Sequence, residues 1–248
     1  MIDTHAHLDA LDDPDGAVAR AREAGVACIL TVGTTVAGCR AALELAERHE
    51  GVSAILGLHP HEAGSVRDED VRDVCALLGH RSAVAVGETG LDYFRDYAPH
   101  DAQRRLFERL LTVAADTAKP VVIHSRAADA DALAVLAGFD GAVVLHCFSS
   151  PAMLSAALER GYYVSFAGNV SYANASELRV AATQVPADRL LAETDSPYLA
   201  PQAVRGRPNE PAYVMHTLAA LAAARGEDAA GLEAQIEANA AALFGLAG

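Results

Sequence analysis

Ala83-Val84-Ala85-Val86-Gly87-Glu88-Thr89-Gly90-Leu91-Asp92 is the stretch on which the fold turns. Its first four residues are small or β-branched and apolar with no polar alternation, which is how a strand buried on both faces reads. A polar tail with two carboxylates follows at once, at the strand's C-terminal end. The same grammar recurs along the chain. Short apolar runs at 2–5, 27–32, 53–58, 83–86, 121–124, 142–146, 163–166 and 190–193 read as strands. Helical spacing fills the intervals 17–23, 38–48, 70–78, 102–117, 129–137, 152–159 and 176–185. Gly25, Gly51, Gly79 and Gly161 read as C-caps, and Asp13-Pro14 and Ser150-Pro151 as helix starts. Eight strands alternating with helices in 248 residues predict an α/β fold, the (β/α)8 TIM barrel. A doubly wound sheet is the alternative, but the Gly-x-Gly-x-x-Gly loop expected after its first strand is absent. Two further helical stretches, 211–224 and 228–244, close the barrel, and with no linker the expectation is one TIM-barrel domain over 1–248.

Composition narrows the function. No apolar run reaches the ~18 residues of a membrane span. The N-terminus lacks a basic segment leading into an apolar core, so a cytoplasmic location is expected. The four cysteines (Cys28, Cys39, Cys75 and Cys147) form no Cys-x-x-Cys pair, which suits reduced thiols rather than a disulfide framework. A formal net charge of -14 excludes a broad basic surface for nucleic acid but not a local basic mouth. With no apolar stripe to mark an interface, a monomer is the default.

In a barrel, reactive groups belong just after the strands, at the C-terminal mouth. His5 and His7 follow the first run, and His59 and His61 the third. Glu88 and Asp92 follow the fourth, His124 and Arg126 the fifth, His146 the sixth, and Glu193 and Asp195 the eighth. Taken singly, each has a bland reading: a satisfied core histidine, a cap, a surface acid. Taken together, four histidines and two carboxylates at one end of one barrel point to a metal site. His5, His7, Glu88, His124, His146 and Asp195 are too many for one catalytic zinc, which uses three protein ligands, so two divalent ions are expected. A carboxylate can bridge them where an imidazole cannot, which leaves Glu88 or Asp195 unless a water bridges alone. The mixed nitrogen and oxygen set suits Zn2+, Mn2+, Fe2+ or Ni2+, with Mg2+ bound less tightly.

These residues resemble the TatD-type metal-dependent deoxyribonucleases of the amidohydrolase superfamily. The likeness runs from Asp3-Thr4-His5-Ala6-His7 to 239–244. It is sharpest at Gly87 to Tyr93, at His146-Cys147-Phe148-Ser149 and at Glu193 to Leu199, with Gly206 and Asn209-Glu210-Pro211 adding a local match. The resemblance implies a (β/α)8 barrel in which His5, His7 and Asp195 hold one ion, His124 and His146 hold the other, and Glu88 bridges. It further implies hydrolysis of DNA phosphodiesters, usually trimming single strands from the 3′ end, with related action on RNA or abasic sites. Ser150 stands where the family commonly has glycine, and Pro208 interrupts a basic pair before Asn-Glu-Pro. Both lie in loops that could meet substrate.

The mechanism expected is a metal-activated water whose proton passes to Asp195. His59 would bind the phosphate or protonate the leaving group, and His61 would do the same or merely shape the His-Pro-His turn. Arg126, Arg205 and Arg207 are candidates for neighbouring phosphates. Tyr93, Phe94 and Tyr198 are candidates to stack on bases, though Phe94 could equally be core. The rival on the same site is a hydrolase of another ester or amide, such as an aminoacyl-tRNA or a small molecule. A carbamylated-lysine bridge is excluded, because the only lysine, Lys119, precedes a strand.

Overall fold

The computed structural model describes residues 1–246. Eight strands, β1 (Ile2–Ala6), β2 (Cys28–Gly33), β3 (Val52–Leu56), β4 (Ala83–Asp92), β5 (Val121–Arg126), β6 (Val143–Leu145), β7 (Tyr163–Phe166) and β8 (Leu190–Ala192), pair in parallel in chain order. The ring closes just beyond the last strand: Asp195 N donates to His5 O at 2.9 Å and His7 N to Ser196 O at 2.8 Å. This is the (β/α)8 barrel expected. Its lumen is an apolar cluster drawn from the strands, including Ile2, Leu30, Ile55, Val122 and Leu191, with Ala240 and Phe244 packed into it. A second, larger cluster lies between strands and helices.

The helices are α1 (Pro14–Glu23), α2 (Val36–Arg48), α3 (Asp68–Leu77), α4 (His100–Thr117), α5 (Asp129–Leu136), α6 (Leu154–Glu159), α7 (Ser176–Gln184), α8 (Val214–Arg225) and α9 (Ala229–Phe244). Local chemistry sets their ends. Asp13 caps α1 by accepting from Gly16 N at 3.0 Å, with Pro14 in the first turn. Thr35 caps α2 through Gly38 N at 3.0 Å. The expected helix at 152–159 opens as a 3-10 turn, Pro151–Met153, before α6 begins. Gly25, Gly51 and Gly161 take the left-handed backbone expected of them, but Gly79 does not. After α3 the chain tightens instead through Gly79 N to Ala76 O at 3.2 Å.

One difference from expectation positions the site. β4 does not stop at Val86 but pairs with β5 as far as Asp92, after a register shift between Val86 and Thr89. Gly87 and Gly90 allow this, at φ 154° and 133°. A Cβ on Gly90 would stand 2.0 Å from His124 O, so backbone passes where a side chain cannot. Glu88 sits inside that irregularity and is buried. Among the described residues, no helix is long and apolar enough to cross a membrane.

Candidate metal centre

The strand ends bring the expected donors together around Glu88. Its Oε2 lies 3.5 Å from His5 Nε2 and 3.6 Å from His7 Nε2, both delivered by β1 and the residue after it. Its Oε1 lies 2.8 Å from His124 Nδ1 at the end of β5 and 2.8 Å from His146 Nε2 after β6. The two carboxylate oxygens therefore face two different histidine pairs. Asp195, after β8, sets Oδ1 3.4 Å from His7 Nε2 and 4.0 Å from His5 Nε2. The His5 and His146 rings stack at 3.9 Å, so the two histidine pairs touch rather than standing apart. Donor atoms within 4.8 Å of one another form three groups: His5, His7 and Glu88; His5, His146 and Asp195; and His59, Glu88 and His124.

This donor set fits divalent ions. Both ring nitrogens of His5 and Nε2 of His146 are buried without a hydrogen-bond partner among the described residues. His146 Nε2 is close to Glu88 Oε1 but off the line of a hydrogen bond. A nitrogen lone pair and a carboxylate oxygen facing one another that way need a proton or a cation between them. Donors held by one zinc at ~2.0–2.1 Å stand roughly 3.3 Å apart, close to the spacings around Glu88 Oε2.

The remaining residues divide by what they touch. His59 Nδ1 accepts from His61 N at 3.1 Å, so in the neutral ring the proton belongs on Nε2, 3.4 Å from Glu88 Oε1. That makes His59 a hydrogen-bond donor toward the cluster, a poor metal ligand and a good phosphate partner. His61 Nε2 points away from the cluster's centre, onto Asp92 Oδ2 at 2.8 Å. Arg126 and Arg205 are exposed and lie over aromatic rings, at 4.1 Å from Phe94 and 4.4 Å from Tyr172. Arg207 is exposed, and its side chain makes no hydrogen bond or ion pair among the described residues. Tyr93 is not a free stacking surface. Its ring is covered by His100 at 3.7 Å and its hydroxyl donates to Asp131 at 2.8 Å. Phe94, by contrast, is 62% exposed and outside the core. Lys119 Nζ donates to Ala83 O, at the opposite end of β4 from the cluster, as expected.

Sequence reasoning missed the carboxylates behind the histidines. Glu193 Oε1 accepts from Cys147 N at 2.7 Å and lies 3.2 Å from His146 Nδ1. Asp92 Oδ2 lies 3.3 Å from His124 Nε2, while its Oδ1 accepts from Phe94 N and Arg95 N at 2.9 Å each. Carboxylates that orient histidines in this way would fix which nitrogen faces an ion held here. Asp3 is buried between β1 and β8 and accepts from Thr194 N at 2.8 Å and Thr194 Oγ1 at 2.6 Å; burial pushes its carboxyl up to about 8. Asn209 donates to Thr194 O at 2.8 Å and to Tyr198 O, tying down the loop that carries Asp195.

Charge inside the cluster is finely opposed. Burial pushes the Glu88 carboxyl up, but His146, His59 and His124 outweigh it and hold Glu88 well below the usual carboxylate range. Burial likewise raises Asp195, and His7, His146 and His5 bring it below its ordinary value. Burial lowers His5 and His59, leaving both rings neutral. His7, His124 and His146 are raised despite burial, by Asp195, by Asp92 with Glu88, and by Glu88 with Glu193. The backbone is strained here as well. Cys147 and Asp195 are non-glycine residues at φ 45° and 56°, a cost that surrounding structure must hold in place.

Comparison with known proteins agrees with this chemistry. The TatD related DNase family matches residues 2–245. The 3'-5' ssDNA/RNA exonuclease TatD of Cronobacter sakazakii is 41% identical over 242 residues, 94% of this chain and 92% of that protein. A metal-dependent hydrolase of Bacillus subtilis, YabD, is 35% identical and covers 87% of this chain and 88% of its own. The crystal structure of YJJV, a TatD homolog from Escherichia coli K12, superposes with a TM-score of 0.94 at 31% identity, covering 100% of this chain and 98% of that one. The chain belongs to the TatD related DNase family of metal-dependent hydrolases.

Proposed function

We propose that the chain is a two-metal phosphodiesterase that trims single-stranded nucleic acid, DNA first, from the 3′ end. The observation that carries this reading is the division of Glu88, one oxygen toward His5 and His7, the other toward His124 and His146. We assign His5, His7 and Asp195 to one ion, His124 and His146 to the other, and Glu88 to both. The 41% identity to a 3'-5' ssDNA/RNA exonuclease supports the substrate. Zn2+, Mn2+, Fe2+ or Ni2+ suits the nitrogen and oxygen donors, with Mg2+ weaker. When bound, such ions supply an activated water and positive charge against the charge that develops on phosphorus oxygens.

The chain's own groups do the rest. Asp195 is held ionised by its three histidine neighbours, so it can accept a proton from the attacking water. Its backbone N–H is tied to His5 O, which aims the carboxylate into the cluster. His59 directs Nε2–H inward and can bind the phosphate or protonate the departing sugar oxygen. His61, held by Asp92, braces the His59 turn through its backbone N–H and contacts substrate less directly. Arg126, Arg205 and Arg207 meet the flanking phosphates from the rim. One apolar cluster runs from Met1 to Ile236, which supports a single catalytic domain over the chain. Four free thiols suit a reducing compartment, so we place the work in the cytoplasm.

The test uses metal-loaded protein and a 3′-labelled single strand, with Glu88→Ala as control and metal analysis of untreated protein. Release of label by wild type and its loss in Glu88→Ala is the expected result. Equal slow release by both, with a small ester turned over by wild type alone, would establish the rival ester hydrolase.

A further inference from the structure

Among the described residues, four large apolar side chains stand well exposed: Phe94 at 62%, Tyr97 at 66%, Tyr198 at 57% and Val180 at 57%. Scattered exposed apolar residues need no explanation. These are not scattered, since the three aromatic ones all leave the mouth, on the segments after β4 and beyond β8. Two of them adjoin the donor cluster, Tyr198 directly and Tyr97 through one ring. Tyr97 meets His61 edge-on at 4.7 Å, and His61 meets His59 at 4.2 Å. Tyr198 meets His7 at 5.9 Å, on the other flank.

Two cations nearby are held by rings rather than by carboxylates. Nine arginines hold a carboxylate within 4.0 Å. Arg126 and Arg205 hold none among the described residues, in a chain whose net charge is -14. Each instead lies over a ring, Phe94 or Tyr172. A cation–π contact steadies a guanidinium without neutralising it, so its N–H groups remain available to phosphate. The pairs stand on separate arcs of the rim, one at the β4 and β5 ends and one at the β7 and β8 ends.

We propose that Phe94, Tyr97 and Tyr198 form a stacking rim for the unpaired bases beside the cut bond, with Arg126 and Arg205 holding the flanking phosphates. This rests on the nuclease reading above. A base in a duplex has its faces occupied by its neighbours, whereas an unpaired base has a free π face for these rings. Stacking on them is tolerant of sequence, because every base has such a face. The rim thus selects single strands without selecting sequence.

The test compares two 3′-labelled single strands, one intact and one carrying abasic residues in the last few positions, on metal-loaded protein. Phe94→Ala and Tyr97→Ala should each raise KM about fivefold or more on the intact strand, with kcat little changed. On the abasic strand wild type should already show the raised KM, and the alanine variants should match it. Phe94→Trp and Tyr97→Phe should keep the wild-type KM. Arg126→Gln should weaken binding of both strands alike. If wild type trims the intact strand and the alanine variants keep its KM, or lose equally on both strands, the rim is wrong and the nuclease reading stands. If wild type releases no label from any strand, both fall.

Discussion

At the scale of single residues, Glu88 faces both histidine pairs, and the two-ion proposal separates two substitutions that a single-ion site would not. His5→Ala removes a neighbour of one carboxylate oxygen only, whereas Glu88→Ala removes both oxygens. On that proposal, metal content after loading and dialysis should fall in part for His5→Ala and further for Glu88→Ala. Elemental analysis of the two variants reads this directly, and equal losses would speak against a bridge. Glu193 gives a subtler prediction. Glu193→Gln keeps an oxygen for Cys147 N but removes the charge beside His146 Nδ1. Metal affinity should drop roughly 10–100-fold, measured by titration calorimetry, with far-UV circular dichroism unchanged.

These residues also show what the sequence made legible. That His5, His7, Glu88, His124, His146 and Asp195 gather at one mouth could be read in advance, because barrel geometry assigns strand ends to one mouth whatever the helices do. Glu193 and Asp92 could not be given roles. Their partners lie 47 and 32 residues away, and nothing local distinguishes an acid that orients a histidine from one that caps a turn. Asp3 is a sharper case, since its carboxyl group joins β1 to the residues just after β8 across 191 residues. Tyr97 shows the same limit at the surface, where exposure is a property of the fold and leaves no mark in composition.

At the scale of elements, β4 is where a correct reading of pattern stopped short. Gly87 to Asp92 reads as a polar tail because glycine and carboxylates are poor strand formers. The ladder to β5 overrides that preference, pairing Thr89 with Ile123 and Asp92 with Arg126. Gly87 and Gly90 are what let the strand continue past the irregularity. Gly90→Ala tests this, because its Cβ would meet His124 O, a backbone atom that cannot swing aside. The substitution should destabilise the fold by about 2 kcal/mol or more in a denaturant titration. A cost within ~0.5 kcal/mol would mean that β4 and β5 can separate there without loss.

At the scale of the whole molecule, charge and protons decide when the site fills. His7, His124 and His146 bind protons more tightly in the fold than a free imidazole does, near pH 6.5, because carboxylates outweigh their burial. Without metal, their contribution to stability is complete below pH ~6.5 and is lost as pH rises through their raised values. Glu88 and Asp195 are depressed, so theirs is present above the ordinary carboxylate range and lost in acid. Through these five groups the metal-free site is most stable in mildly acidic solution and loosens toward alkaline pH, while His5 and His59, lowered by burial, cost stability below pH ~6.5. An ion must displace the same protons to bind, so its affinity moves the opposite way and rises with pH. Stabilisation at fixed metal follows the logarithm of that affinity. The increase in Tm caused by a fixed excess of Mn2+ should accordingly be larger at pH 8 than at pH 6, read by scanning calorimetry with and without the ion. Glu88→Ala should flatten the difference, since it removes the carboxylate that raises both His124 and His146. A Tm increment that shrinks from pH 6 to pH 8 in wild type would show that these histidines do not hold the metal.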